Sequence, residues 1–200
     1  KLEDPKIKAF FIVNPGNPSG MGMDRATIAK IVKLVKTKRP DLMLLTDDVY
    51  GTFVSDFRSL LGELPYNTIG VYSYSKYFGC TGWRLGVISV HENNIFDDMI
   101  AKLAPEHVDA LDKRYGPITL EPRKFKFIDR IVADSRDIGL NHTAGLSLPQ
   151  QVMMTMFSLY ELMDTKKAYQ KACMEIVSQR FASLVESLGL KLEPNANYDA

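Results

Sequence analysis

The stretch from Ser73 to Gly86 reads S-Y-S-K-Y-F-G-C-T-G-W-R-L-G, and it is the most informative segment of this 200-residue chain. Lys76 follows two serines, and Arg84 comes eight residues later with glycines between them. A lysine at a fixed site suits imine formation, because its amine attacks a carbonyl carbon. Serine hydroxyls and an arginine fork suit a phosphate group. By itself S-x-S-K is a weak signal, since short serine and lysine strings also occur by chance.

A second motif, N-P-G-N-P-S-G, spans Asn14 to Gly20 and follows the apolar run 7–13. That run is typical of a buried strand. Two Asn-Pro dipeptides and two glycines at a strand end predict a tight, shaped loop. A single Asn-Pro would be an ordinary turn, whereas two within seven residues favour a loop that holds an asparagine amide toward a ligand.

The third motif, Asp47-Asp48-Val49-Tyr50, ends the apolar stretch 42–45, which is a further strand pattern. A carboxylate at the carboxyl end of a parallel strand lies where open α/β sheets bind ligands. The alternative is a solvated acidic strand end. Asp47 and Tyr50 lie between the Asn-Pro loop and Lys76 in the chain, which favours the ligand-binding interpretation.

Taken in order, the three motifs resemble the pattern of the fold type I pyridoxal-phosphate enzymes, the aspartate aminotransferase superfamily. That pattern is N-P-x-N-P-[ST]-G, then D-x-x-Y, then S-x-S-K with an arginine eight residues later. Pyridoxal 5′-phosphate is an aldehyde with a phosphate tail, so it needs both a lysine and phosphate-binding groups. The resemblance implies that Lys76 forms the imine and that Asp47 pairs with the protonated pyridine nitrogen. It implies that Asn17 and Tyr50 hydrogen-bond the phenolic oxygen.

The resemblance also implies phosphate contacts from Ser73 and Arg84, with Ser75 as a further contact. A bidentate arginine would anchor the cofactor when the lysine releases it. A carboxylate at the pyridine nitrogen keeps the ring cationic, so that the ring accepts electrons from a substrate carbanion. Each implied role therefore agrees with the chemistry of the side chain.

The composition is that of an ordinary globular protein, with 46% apolar and 24% charged residues and a net charge of +1 at pH 7. These values favour neither nucleic-acid nor membrane binding. No apolar run is long enough to span a bilayer, and we expect no signal peptide. Cys80 and Cys173 are far apart, and the three histidines show no ligand spacing. We therefore expect reduced thiols, no metal site and a cytoplasmic location.

Strand and helix patterns alternate in the first half of the chain, and Asp24 is a plausible N-cap of the first helix. The strand patterns lie at 7–13, 42–46, 68–73 and 85–90, and the helix pattern lies at 23–38. Such alternation predicts an α/β fold with a doubly wound, mostly parallel sheet.

By resemblance, residues 1–150 form the C-terminal half of the cofactor-binding large domain, and 189–200 begin a small α+β domain. A long connecting helix is expected at 151–188, with Asp164-Thr165 as a candidate kink. Its methionine and aromatic residues recur at helical spacing, which is more typical of core than of a cofactor contact.

A helical insertion at about 92–147 is longer than its counterpart in plain aminotransferases. Its segment Leu111–Arg130 alternates in charge, and prolines at 117 and 122 should divide it into at least two helices. Alternating charge is usually a solvated surface; a subunit contact or an active-site rim is the alternative. A motif at the end of the insertion, Asn141–Gln151, reads N-H-T-A-G-L-S-L-P-Q-Q. Together, the insertion and this motif resemble one branch of the superfamily, the bacterial aspartate 4-decarboxylases, which also transaminate aspartate.

Three functions follow as hypotheses. The first is an aspartate 4-decarboxylase with transaminase activity, the second an ordinary aminotransferase, and the third the aminotransferase-like sensor domain of a transcription regulator. The resemblance further implies an internal fragment of a longer polypeptide, inactive alone, whose other parts hold the substrate carboxylate. It implies amino-acid and 2-oxo-acid substrates and a homodimer or higher homo-oligomer, with no nucleic-acid or membrane partner.

Overall fold

The structure is a computed structural model that describes residues 1–138 and 146–191. A four-stranded sheet lies at its centre, and the strands follow one another in chain order. The strands are β1 (Ala9–Val13), β2 (Met43–Asp47), β3 (Thr68–Ser73) and β4 (Gly86–Val90). The first three are mutually parallel, and β4 runs antiparallel to β3. The mixed α/β fold with a mostly parallel sheet that the sequence predicts is confirmed.

The direction of β4 follows from the connection that precedes it. The segment between β3 and β4, residues 74–85, contains only a short 3₁₀ turn at Thr81–Trp83. A parallel return would need a crossover helix, whereas an antiparallel return does not. The segment that carries Lys76 therefore turns the chain back beside β3.

Helix α1 (Arg25–Thr37) connects β1 to β2 and packs against the sheet. The carboxylate of Asp24 accepts a hydrogen bond from the amide of Thr27 at 2.6 Å, which confirms the predicted N-cap. The buried residues of this core are Ile28, Ile31, Val35, Leu42, Leu44, Leu60 and Leu64. Burying a leucine or isoleucine side chain stabilises the fold by about 2 kcal/mol, so this cluster fixes the sheet against α1.

The remaining helices lie beside and beyond the sheet. They are α2 (Leu60–Glu63), α3 (Ile95–Ile100), α4 (Pro105–Tyr115), α5 (Phe127–Ile138), α6 (Leu148–Met163) and α7 (Ala168–Ser187). In the region of the insertion, α4 ends before the proline at 117 and α5 begins after the proline at 122, as the sequence predicts. Residues 141–145 of the N-H-T-A-G-L motif lie outside the described residues.

The long helix expected at 151–188 is instead two helices, α6 and α7, separated by residues 164–167. The break falls at the candidate kink. The carboxylate of Asp164 accepts hydrogen bonds from the amides of Ala168 and Tyr169, at 2.9 and 2.8 Å, so it ends α6 and starts α7. Gly189 follows α7 with φ of +61°. Beyond residue 191, the start of the expected small domain lies outside the described residues.

The apolar stripes of α6 and α7, expected to be core, are largely exposed in the described part of the chain. The exposed members are Val152, Met156, Leu159, Tyr160, Met163, Ile176, Val177, Phe181 and Leu184. Neither helix contains a fully buried residue. The sheet and α1 bury their apolar faces against each other, whereas little of the described chain packs on these two helices.

Candidate active site

A cleft of about 590 Å³ lies where the segments following β1, β2 and β3 meet. Because these strands are parallel, their carboxyl ends share one edge of the sheet, where such sheets bind ligands. The loop after β1 lines the cleft with residues 15–18 and 20. The loop after β2 contributes Tyr50, and the segment after β3 contributes Ser75 and Lys76.

The two asparagines of the Asn-Pro loop have different positions. Asn14 is buried. Its side-chain oxygen accepts a hydrogen bond from the main-chain amide of Met23 at 2.8 Å, and its main-chain amide donates to the carbonyl of Asp47 at 2.9 Å. Asn17 lines the cleft, and its side-chain amide donates to the hydroxyl of Tyr50 at 3.2 Å. Asn14 therefore holds the loop against the strand ends, while Asn17 and Tyr50 present an amide and a phenol together.

Lys76 is exposed at the cleft, on a segment that its neighbours hold in place. The hydroxyls of Ser73 and Ser75 are 2.9 Å apart, and the amide of Ser75 also donates to the hydroxyl of Ser73 at 3.2 Å. Ser75 is buried, whereas the lysine beside it is exposed. The primary amine is therefore accessible while the backbone beneath it is fixed.

Asp47 and Asp48 have different environments. Asp47 is the last residue of β2, and its carboxylate accepts a hydrogen bond from the amide of Val49 at 3.1 Å. Asp48 accepts hydrogen bonds from the hydroxyls of Thr46 and Ser59, and burial raises the pKa of its carboxyl group. Asp48 follows the strand and bonds to Thr46, the residue that precedes Asp47, so the two carboxylates have different partners. Ser59 is the N-cap of α2, so its hydrogen bond to Asp48 fixes the start of that helix.

Arg84 lies at the end of the 3₁₀ turn with φ of +55°, in the left-handed region. Its guanidinium is exposed and donates one hydrogen bond to the carbonyl of Thr81 at 3.1 Å. The structure thus brings Asn17, Tyr50, Ser75 and Lys76 together in the lining of the cleft. The other three expected site residues, Asp47, Ser73 and Arg84, are not part of that lining.

Sequence reasoning missed the contribution of α7 to the cleft. Met174 and Val177 line it, and the side-chain amide of Gln170 donates to the carbonyl of Thr52 at 2.8 Å, in the turn that follows Tyr50. These residues are three or four apart and so share a helical face. Periodicity alone assigns that face to core, and no motif in the sequence connects it to the loops.

A second cavity, of about 790 Å³, lies between α3, α4 and the start of α5 and shares no lining residue with the cleft. Its side chains carry both signs of charge, and several already pair with one another, as Arg123 does with Asp112 at 2.8 Å. Arg130 is buried there against the ring of Tyr115, 4.7 Å from its centre. The smaller cleft is the candidate active site, because it combines an accessible amine with an amide, a phenol and a hydroxyl.

Within residues 1–138 and 146–191, His, Cys, Asp and Glu side chains form no group of three that could bind a metal ion. In the same ranges, every helix is too short or too polar to cross a lipid bilayer.

Comparison with known proteins gives three kinds of match. The profile of the family "Aminotransferase class I and II" matches residues 1–124. A bifunctional aspartate aminotransferase and L-aspartate beta-decarboxylase from a Pseudomonas species is 51% identical over 197 residues, which cover 98% of this chain and 37% of that protein. An aspartate aminotransferase from Sulfolobus acidocaldarius is 36% identical over 99 residues, which cover 48% of this chain and 24% of that protein.

Among solved structures, an aspartate aminotransferase from Thermus thermophilus superposes with a TM-score of 0.57 at 19% identity. The superposition covers 94% of this chain and 40% of the other, and at that identity it supports the fold alone. The chain thus spans well under half the length of the relatives it matches. These matches confirm the family, the enzyme class and the cofactor that the motifs predict. The chain therefore belongs to the class I and II aminotransferases, a family of pyridoxal-phosphate-dependent enzymes.

Proposed function

We propose that this chain is part of an aspartate 4-decarboxylase that converts aspartate to alanine and CO₂ and also transaminates aspartate. The observation that carries the proposal is the 51% identity to the bifunctional Pseudomonas enzyme, which is sustained over 197 residues. That match covers 98% of the chain, so it runs through 92–147, whereas the match to the Sulfolobus aspartate aminotransferase covers 48%. Sequence identity of 51% that continues through the insertion favours the bifunctional branch.

The residues at the cleft fit pyridoxal phosphate, which would supply an electron sink for a carbanion next to the substrate nitrogen. Lys76 presents its amine to the cleft, so we propose that it holds the cofactor covalently and, once released, takes the proton from the substrate Cα. Asn17 and Tyr50, already hydrogen-bonded at 3.2 Å, would orient the phenolic oxygen. Asp47, at the end of β2, would keep the pyridine nitrogen protonated.

Ser73, Ser75 and Arg84 would hold the phosphate. The hydroxyls of Ser73 and Ser75 are 2.9 Å apart, close enough to bind neighbouring phosphate oxygens. The exposed guanidinium of Arg84 presents further N–H donors beyond the one given to Thr81. This arrangement supports a phosphate subsite that stays fixed while the lysine moves.

The two activities would share the removal of the Cα proton by Lys76. They would differ in the next bond to break: loss of the β-carboxylate as CO₂ leads to alanine, and attack by water releases the 2-oxo acid. One set of residues therefore suffices for both outcomes.

We propose that the substrates are amino acids and 2-oxo acids and that the active protein is at least a homodimer. No arginine is among the described residues that line the cleft, so the group that binds the substrate α-carboxylate would come from other parts of the polypeptide or from a second copy. Light scattering on the full-length protein tests the assembly, since a fully active monomer would contradict it.

The proposed reaction is tested by incubating full-length protein with aspartate and no added 2-oxo acid. We expect alanine and CO₂ in equal amounts over many turnovers, with oxaloacetate as a minor product. Lactate dehydrogenase and NADH are included to remove pyruvate, because oxaloacetate that decarboxylates in solution gives pyruvate, which an aminotransferase could convert to alanine.

An ordinary aminotransferase is the second candidate, favoured by the family match over residues 1–124. Without an added 2-oxo acid it would release about one equivalent of oxaloacetate per site and, with pyruvate removed, no alanine. Lys76→Ala is the control, and it should form neither alanine nor oxaloacetate from aspartate.

A further inference from the structure

The corner between α6 and α7 consists of residues 164–167. We propose that Glu161, before this corner, and Tyr169, after it, are positioning residues that fix the backbone immediately after Lys76. The inference rests on the proposed function, in which Lys76 holds the cofactor. It extends that function to a part of the chain more than eighty residues away in sequence, where no motif indicates a role in the site.

The contacts converge on Tyr77, the residue that follows Lys76. The hydroxyl of Tyr169 donates to the main-chain carbonyl of Tyr77 at 2.7 Å. The hydroxyl of Tyr77 in turn donates to the carboxylate of Glu161 at 3.0 Å, and Lys167 pairs with that carboxylate at 2.7 Å. Tyr77 is therefore held through its main chain and through its side chain by the same corner.

Aromatic packing surrounds these hydrogen bonds. The rings of Tyr77 and Tyr169 meet edge to face with centroids 5.1 Å apart, and Phe78 stacks on Phe157 of α6 at 4.9 Å. Aromatic pairs of this kind contribute about 1 kcal/mol each beyond the area they bury. The two residues after Lys76 are thus packed against both helices, while Lys76 itself stays exposed at the cleft.

Hydrogen bonds and backbone geometry fix the corner itself. The carboxylate of Asp164 accepts hydrogen bonds from the amides of Ala168 and Tyr169, and these bonds lower its pKa. Lys167 has φ of +52°, which turns the chain sharply into α7. Tyr169 therefore lies in a capped first turn, at a fixed place relative to the sheet.

Both phenols remain donors at neutral pH. Burial raises the pKa of Tyr169 to about 12, and burial and the carboxylate of Glu161 raise the pKa of Tyr77 further above its usual value. The hydrogen bonds to the carbonyl and to Glu161 therefore persist over the pH range in which such an enzyme works.

A fixed backbone matters here because the amine must leave the cofactor and return to the same atom. Small misplacements of a reacting group reduce rates by as much as about 100-fold. A merely structural contact would lower the stability of the protein and leave the chemistry of the lysine unchanged. A positioning contact would change the properties of the lysine amine itself.

The test compares Tyr169→Phe with Tyr160→Phe in the full-length, cofactor-loaded protein. Tyr160 is a matched control: its ring packs edge to face on Tyr169 at 5.8 Å, but it is half exposed and lies outside the proposed chain of contacts. Three quantities are measured: the pH titration of the visible absorbance of the lysine imine, kcat and KM, and amide exchange of residues 77–79 in the apoprotein.

For Tyr169→Phe we expect kcat to fall about 10-fold with little change in KM, which corresponds to the loss of one partly buried hydrogen bond. We also expect the midpoint of the imine titration to move by about half a pH unit and residues 77–79 to exchange faster. Tyr160→Phe should match the wild type in all three. Glu161→Gln, which retains an acceptor for Tyr77, should shift the titration less than Glu161→Ala.

The inference is overturned if Tyr169→Phe and Tyr160→Phe give the same imine titration and the same amide exchange. Failure of the proposed function gives a different result: Lys76→Ala would then keep the pH-dependent absorbance band. In that case amide exchange in the apoprotein still decides whether Tyr169 fixes this backbone. If Tyr169→Phe does not fold, the two Glu161 variants decide in the same way.

Discussion

Helices α1 and α7 both carry apolar stripes, yet they are attached to the rest of the molecule by different means. Helix α1 buries three residues against the sheet, and Val35 among them is 1% exposed. Helix α7 is longer and buries none. Its contacts with the segments after β2 and β3 combine aromatic packing with two directional hydrogen bonds: the hydroxyl of Tyr169 and the side-chain amide of Gln170 each donate to a main-chain carbonyl, at 2.7 and 2.8 Å.

This difference separates stability from positioning. Burial of a large apolar side chain contributes about 2 kcal/mol but has little directional preference. A hydrogen bond contributes about 1 kcal/mol and requires a defined distance and angle. The sheet and α1 supply a rigid base for the three loops, and polar contacts from α7 reach two of them, the segments after β2 and β3.

The largest expected effect comes from substituting two neighbouring carboxylates, Asp47 and Asp48. We assign the first to cofactor binding and the second to the stability of the fold. Asp47→Ala should lower activity about 10³-fold, or by about 4 kcal/mol, because an unprotonated pyridine is a poor electron sink. Asp48→Ala should lower activity much less and instead lower the free energy of unfolding, since Asp48 binds Thr46 and Ser59. Steady-state kinetics and urea unfolding of both variants check this. Equal losses of activity would show that the carboxylate role has been assigned to the wrong residue.

A direct comparison of the two packing modes uses Leu44 and Phe181. Leu44 is buried beside α1, so Leu44→Ala should lower the free energy of unfolding of this chain by about 3 kcal/mol. Phe181 of α7 is 42% exposed, and Phe181→Ala should cost less than about 1 kcal/mol. Denaturant unfolding of the 200-residue chain measures both. Similar costs would contradict the contrast between the helices.

The smallest expected effect concerns the pH dependence of stability. Burial raises the pKa of Asp48, so its charged form is disfavoured in the folded state. As pH rises above the ordinary aspartate value of 3.8, the unfolded chain loses this proton first, and the wild type loses stability relative to a variant without the charge. Asp48→Asn should therefore gain stability relative to the wild type between acidic and neutral pH. If the difference in free energy of unfolding between the two proteins were constant over that range, burial would not raise the pKa of Asp48.

Much of the sheet and its loops follows from the sequence. The apolar runs end within two residues of the strand ends, and Asp24 caps α1 because its carboxylate accepts a hydrogen bond from the amide of Thr27. The Asn-Pro loop and the segment around Lys76 meet because parallel strands end at one edge. These are local or topological consequences, and a single sequence contains the information for them.

The role of α7 could not be found in the same way. Met174 and Val177 have the spacing of a core face, and their position at the cleft depends on the turn at residues 164–167. The bond between Tyr169 and the carbonyl of Tyr77 connects residues 92 apart in the chain. Such contacts depend on how helices pack, and neither helical periodicity nor a short motif encodes that arrangement.

The central claim, that Lys76 holds the cofactor, is tested most directly by borohydride reduction of the full-length protein loaded with pyridoxal phosphate, followed by peptide mapping. Reduction converts the imine to a stable secondary amine and so marks the lysine that formed it. We predict one labelled peptide that contains the segment S-Y-S-K, with the modification on Lys76. A label on any other lysine, or label that persists in Lys76→Ala, would contradict the account.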